Sequence, residues 1–195
     1  MSKILEYAFN YLQRGWQPLP IPHRSKNPNL KGWQNLILSA PDLPQYFNDK
    51  PQNIGVLLGS KSNGLTDVDL DSSEAVKIAD FFLPETKAGF GRVSKPHSHR
   101  LYYCDEFLYE KFNNPFSLAS EDEEIRKTAC IAEVRGKDGL QTVFPGSTHA
   151  TGEPIEWHTD GEPTRIKAKQ LRWAAALLAS AALISTFWRK GTRKN

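Results

Sequence analysis

Apolar residues recur at helical spacing near the start of the chain, at Ile4, Leu5, Ala8, Tyr11 and Leu12, with Ser2 placed to cap the first turn and Gly15 to end the last. The spacing predicts a short amphipathic helix. Residues 16–33, WQPLPIPHRSKNPNLKGW, lose that period, and each proline removes a backbone donor, so this stretch is predicted to be an extended basic loop. Residues 39–47 predict a second short helix, and IGVLLG at 54–59 is a continuous apolar run of buried-strand length. In LTDVDLD, residues 65–71, Leu65, Asp67, Asp69 and Asp71 alternate with Thr66, Val68 and Leu70, so strand period places three acids on one face. SSEAVKIADFFLP opens with serine caps and predicts a helix that ends before Pro84. Further strands are predicted at 100–103, 129–134, 140–144 and 154–157, separated by turn residues or polar, helix-like segments. Together these elements imply an α+β fold with a mixed β-sheet and flanking helices.

The last predicted helix, 167–188, carries no charge from Trp173 to Trp188. That run falls short of the about 20 apolar residues that cross a bilayer, so the helix is expected to pack against protein rather than span a membrane. The basic tail RKGTRKN is expected to solvate its end.

Length and charge narrow the picture. At 195 residues the chain is long enough for one packed domain, and a net charge of +3 does not by itself imply nucleic acid. Distribution matters more: His23, Arg24, Lys26 and Lys31 gather in one loop with Trp16 and Trp33, a pairing that suits tracking a single strand and stacking its bases. Cys104 and Cys130 form no CxxC, so neither a disulfide framework nor a Cys-based zinc site is supported, and a reducing cytoplasm is the expected location. Glu6, Asn10 and Gln13 interrupt the N-terminal apolar pattern, and secretion is not expected.

Three acids on one strand face repel one another unless a cation joins them. Carboxylate oxygens suit magnesium or manganese, which bind through a few carboxylates together with substrate phosphates. An exposed, solvated strand face is the plainer alternative. Downstream, GFGRVSKPHSHRLYY crowds Arg92, Lys95, His97, His99 and Arg100 around small residues, a composition that suits a phosphate cradle. AEVRGKDGLQTVFPGSTHATG then places Glu133 at a strand end, Arg135 two residues later on the same side, and Ser147 and His149 in a turn. A carboxylate from a second strand would complete a two-metal site.

The order NIGVLLG, GLTDVDLDSSEA, GRVSKPHSHRLYY and AEVRGKDGLQTVFPGSTHATGEPIEW resembles the bifunctional DNA primase/polymerase (Prim-Pol) domains of the archaeo-eukaryotic primase superfamily. The resemblance covers about residues 1–165 and implies a catalytic domain there, followed by a C-terminal helix and basic tail at 166–195. It implies that an Asp-x-Asp pair, Asp69 with Asp71 or alternatively Asp67 with Asp69, holds metal together with Glu133, which stands where the family often has Asp. By the same resemblance Ser98-His99 stands for a Ser-x-His whose histidine contacts the incoming nucleotide, and Lys26-Asn27-Pro28 and Gly32-Trp33 stand for a Lys-x-Pro and a Gly-Trp. The catalytic set is then Asp69, Asp71, Glu133 and His99, with Arg92, Lys95 and Arg135 joining His99 on the phosphates. The implied activity is primer synthesis or extension on single-stranded DNA from nucleoside triphosphates, with two magnesium or manganese ions and a replicative helicase as partner in trans or in a longer chain. Two rivals remain open: a metal-dependent nuclease or phosphoesterase using the same acids with His97, His99, His149 and His158, and a catalytically silent single-stranded DNA-binding module.

Overall fold

Strand β3 (Leu65–Leu70) lies at the middle of the larger of two sheets because its residues are almost all buried, which only a strand flanked on both edges and covered on both faces can be. The computed structural model describes residues 2–191. In chain order the elements are α1 (Lys3–Gln13), β1 (Pro18–Pro22), α2 (Leu43–Tyr46), β2 (Gln52–Leu57), β3, α3 (Ser73–Phe82), β4 (Ala88–Arg92), β5 (Lys95–Cys104), β6 (Leu108–Asn113), α4 (Pro115–Leu118), α5 (Glu123–Lys127), β7 (Cys130–Gly136), β8 (Gln141–Val143), β9 (Glu156–Asp160), β10 (Thr164–Ile166) and α6 (Ala168–Gly191).

The larger sheet runs in the order β6-β7-β3-β5-β4-β9, antiparallel throughout that path, with β10 added parallel to the far end of β5. The segments expected to become β3, β5 and β7 thus lie side by side. A smaller sheet, β1-β2-β8, packs over part of one face.

Strand period divides the larger sheet into two environments. On the back face, Val68, Leu70, Tyr102, Ala132 and Val134 form a core with α3 and α6, the latter contributing Leu171, Ala175, Leu178 and Ala182. Ser72 caps α3 by accepting from the Ala75 N–H at 3.1 Å. On the front face, Leu65, Phe90, Leu101 and Tyr103 pack with α1, Trp16, Phe47, Ile54 and Phe144. The smaller sheet and α1 cover this apolar part and Asp67 beside it, and leave the front face more open at Asp69 and Glu133.

Several expectations are corrected. The proline-rich stretch is not all loop: PLPIP is strand β1. The bond from the Leu57 N–H to the Gln17 carbonyl sets the register, so Leu19 and Ile21 face β2 across bonded positions while Pro18, Pro20 and Pro22 fall where an edge strand needs no donor. Trp16 is fully buried, its Nε1–H donating to the Tyr103 hydroxyl at 2.8 Å, and Trp33 packs on Leu19, Ile21 and Leu57, so Trp16 offers no face to a base. GFGRVSKPHSH is a β-hairpin, β4 turning into β5, rather than a loop before a strand. Glu133 lies inside β7, which runs on to Gly136. Ser2 occupies the N-cap position of α1 without making a cap bond.

Helix α6 is long and apolar enough to cross a membrane by length and composition alone, and here one of its faces is buried in the back-face core while Trp173, Leu177, Ile184 and Trp188 are exposed. The basic tail after Trp188 lies outside the described side chains, and residues 192–195 lie outside the described residues altogether.

Candidate active site

Cross-strand register lines up a row of side chains across the front face. Asp69 on β3 stands directly opposite His99 on β5 and Glu133 on β7. The row continues from His99 to Phe90 and Trp157, and from Glu133 to Lys111. It passes from an aromatic, covered end to an ionic, open end, with Asp69 at the changeover. Two residues along, a second row on the same face runs Leu101, Asp67, Arg135, Tyr109. Three of the four proposed catalytic residues are therefore immediate neighbours, because residues opposed in an antiparallel pair hold their side chains within about 5.5 Å.

The three acids of β3 have different surroundings. Asp67 has no exposed surface; its carboxylate accepts from Thr142 Oγ1 at 2.7 Å and meets His99 Nδ1 at 3.0 and 3.2 Å. Burial pushes its pKa up, but the charge and hydrogen bond of His99, with Arg135 and Thr142, outweigh burial and hold it below its ordinary value. Asp69 is partly open, 3.8 Å from His99 Nε2 and 3.9 Å from an Arg135 nitrogen. Its pKa is raised by burial and by Asp67 and Asp71, against the pull of His99 and Lys95. Asp71 lies one residue past the end of β3, takes Lys95 Nζ at 3.3 Å and lies near the Cys130 thiol, which burial and Asp71 together push up to about 12. Asp67 is thus sealed beneath His99, whereas Asp69 and Asp71 are side-chain exposed by 18% and 38%.

His99 is fixed on three sides, by Asp67, by Asp69 and by Phe90, which stacks on the imidazole at 4.5 Å with the planes 12° apart. Burial disfavours its charged form, but Asp67 and Asp69 outweigh that and raise its pKa. Glu133 lies near the Tyr109 hydroxyl, whose pKa it raises, and has Arg135 Nε at 3.8 Å. That Nε is buried and makes no hydrogen bond, although another Arg135 nitrogen donates to the Gln141 carbonyl at 2.6 Å.

A cleft of about 240 Å³ opens beside the row, lined among others by Lys26, Asp69, Arg92, His99, Arg135 and His149. Arg92 is held by Glu153 at 3.2 Å and by Ser94, at the tip of the β4–β5 hairpin. Gly91 permits that hairpin to close, since a Cβ there would run into the Lys95 carbonyl. Lys95 pairs with Asp71 and does not line the cleft, and neither does Glu133. Of the four histidines in the hydrolase rival, His99 and His149 line the cleft; His97 and His158 lie against each other with ring centroids 4.2 Å apart, and His97 also meets Arg100.

Among the described residues, no group of three or more His, Cys, Asp or Glu side chains is gathered around a point that would hold a metal ion. The chemistry of the donors still fits one. Asp69 and Glu133 are carboxylates directly opposed across strands, an arrangement that is destabilising by itself, and among the described residues no cation approaches either within hydrogen-bond distance. Hard divalent ions take such oxygen ligands.

The family model of the bifunctional DNA primase/polymerase N-terminal domain, Prim-Pol, matches residues 8–169. The chain belongs to this family. At family level a Prim-Pol domain is a primase/polymerase-type nucleotidyltransferase. No curated protein sequence matches the chain. The Prim-Pol match ends in the first turn of α6 and includes both sheets and every residue of the two rows.

Sequence reasoning missed the partnership of Asp67 with His99 and Thr142, the stack of Phe90 on His99, and the Gln141 carbonyl that anchors Arg135. Alternation in LTDVDLD signalled that Asp67 shares a face with Asp69; nothing local signalled that the small sheet would close over it.

Proposed function

We propose that this Prim-Pol domain is a template-dependent nucleotidyltransferase that makes or extends primers on single-stranded DNA, taking nucleoside triphosphates in the cleft between the hairpin and β8. The observation that carries the reading is the juxtaposition of the His99, Asp69, Glu133 row with a cleft whose walls supply Lys26, Arg92, Arg135 and His149. Cations on several sides of one cleft suit a polyanion.

Asp69, Asp71 and Glu133 would hold the divalent ions, magnesium or manganese. Bound there, such ions activate a hydroxyl nucleophile and neutralise the charge of the triphosphate and of the leaving pyrophosphate. The protein's own groups bind and orient. His99 Nε2–H, beside Asp69, donates to a phosphate oxygen and Arg92 and Arg135 hold the outer phosphates through their forked donors, while Lys95, outside the cleft lining, pairs with Asp71 and acts on the triphosphate through its charge alone. Phe90 and the covering sheet keep water from the back of the imidazole.

Extension of a primed single strand, with titrated nucleotide and either metal, tests the proposal. Asp69→Asn and Asp71→Asn should each lower incorporation at saturating nucleotide by about a hundredfold or more, because developing charge is left uncompensated. His99→Ala should act mainly by raising the nucleotide KM. Normal incorporation by the Asp69→Asn, Asp71→Asn double variant overturns the assignment, as does release of nucleotides from DNA by the wild-type protein with no triphosphate consumed.

A further inference from the structure

Asp67 is a fully buried carboxylate in the middle of a strand, with apolar Leu65 before it on the same face and, across from it, Leu101 on β5 and Arg135 on β7. A carboxylate there is costly unless its oxygens are bonded, so its partners show what it does. The described partners are His99 Nδ1, within hydrogen-bond distance of both oxygens, and the Thr142 hydroxyl. Asp67 is on the larger sheet and Thr142 on the smaller, so this carboxylate ties His99 to both.

We propose that Asp67 is a positioning residue that fixes the His99 ring: its carboxylate accepts from the Nδ1–H of the imidazolium, and the Nε2–H at the other edge of the ring is thereby presented to the cleft as the donor that meets the nucleotide's phosphate. This rests on the reading of the cleft as a nucleotide site. The geometry has one sense only. An imidazole whose Nδ1–H is given to a buried carboxylate has only Nε2 left for a ligand, and Nε2 is on the cleft side, 3.8 Å from Asp69. Phe90, stacked at 4.5 Å, removes the other freedom of the ring by blocking rotation out of that plane. With Asp67 gone, Phe90 still restrains the plane, but a half-turn of the ring exchanges the two edges without penalty. The oriented donor then becomes one of two states.

The test is a double-mutant comparison read on nucleotide KM and kcat separately. Asp67→Ala should raise the nucleotide KM about tenfold, the loss of one charge-assisted hydrogen bond, with a smaller change in kcat. Asp67→Asn keeps an oxygen that accepts from Nδ1–H, and should recover part of that loss. In a His99→Ala background, Asp67→Ala should leave KM unchanged, since there is no ring to orient. A full additional rise in KM in that background, or an unchanged KM for folded Asp67→Ala with His99 present, overturns the proposal. If Asp67→Ala fails to fold, the same comparison is made with Asp67→Asn.

A second readout does not depend on activity. The His99 Nδ1–H proton should give a resonance protected from exchange in the wild-type protein and lost in the Asp67 variant; its absence from the folded wild type overturns the positioning role. A wild-type protein that shows the protected proton but incorporates no nucleotide overturns the enzymatic reading and not the geometry of the pair.

Discussion

His149 is half-buried at the cleft wall, its Nδ1 bonded to the Thr151 hydroxyl at 2.9 Å, and its pKa is lowered by burial and then by Arg92 and Lys26. Burial and the neighbouring cations Arg92 and Lys26 both disfavour its charged form. The sign of its response follows. A bound triphosphate brings negative charge among those cations, favours the imidazolium and raises the His149 pKa, so through this histidine binding should take up protons and strengthen as pH falls towards the lowered pKa of the free protein. NMR titration of the His149 ring with and without saturating nucleotide checks this, and an unmoved or lowered pKa in the complex would refute the anion site. At this scale the sequence exposes chemistry and hides partnership. Asp69, Asp71, His99 and Glu133 announced themselves by type and order, but that Asp67 serves His99 and Lys95 serves Asp71 depends on hydrogen bonds across strands distant in the chain.

Among elements, those with a strong period or a continuous apolar run were legible: β2, β3, β7 and helices α1, α3 and α6 all lie within a few residues of where patterning placed them. The misses cluster at sheet edges and corners. Strand β6, LYEKFN, mixes charge and aromatics because one of its faces is solvated, and β1 hides behind prolines that an edge strand tolerates. Helix α6 was legible as a helix but not in orientation, because apolar residues surround it and no stripe marks the inward side. The structure selects Leu171, Ala175, Leu178 and Ala182 as that side. Leu178→Ala should therefore cost about 2–5 kcal/mol in chemical denaturation, a core truncation, while Ile184→Ser on the exposed side should cost within about 0.5 kcal/mol. Equal costs at the two positions would mean that α6 is not seated by this face.

At the scale of the whole molecule, the two sheets meet where the basic loop is moored to the cleft. Gln141 Nε2 donates to the Lys26 carbonyl at 2.8 Å, and Asn53 Nδ2 to the Ser25 carbonyl at 3.1 Å, so residues of β8 and β2 hold the loop against the site. Arg24, Lys26 and Lys31 are exposed along it, but only Lys26 lines the cleft. Because Trp16 is buried in the core, base stacking from that residue is not available, and the proposed contact of this loop with a template strand is left to its charges and to the partly buried Trp33. Each phosphate neutralised on a single strand contributes about 0.7 to the salt slope of binding, so neutralising Arg24, Lys26 and Lys31 together should weaken single-stranded DNA binding and flatten the slope by about 2. The three positions should also separate by substrate. Lys26→Ala alone should raise the nucleotide KM as well as weaken DNA binding, whereas Arg24→Ala and Lys31→Ala should weaken DNA binding and leave nucleotide KM unchanged. Fluorescence binding to an oligonucleotide across a salt series, paired with nucleotide titration, measures both. A triple variant with the wild-type slope removes the loop from the template path, and an unchanged nucleotide KM in Lys26→Ala removes that lysine from the triphosphate site while leaving the loop's role on DNA to stand or fall by the slope.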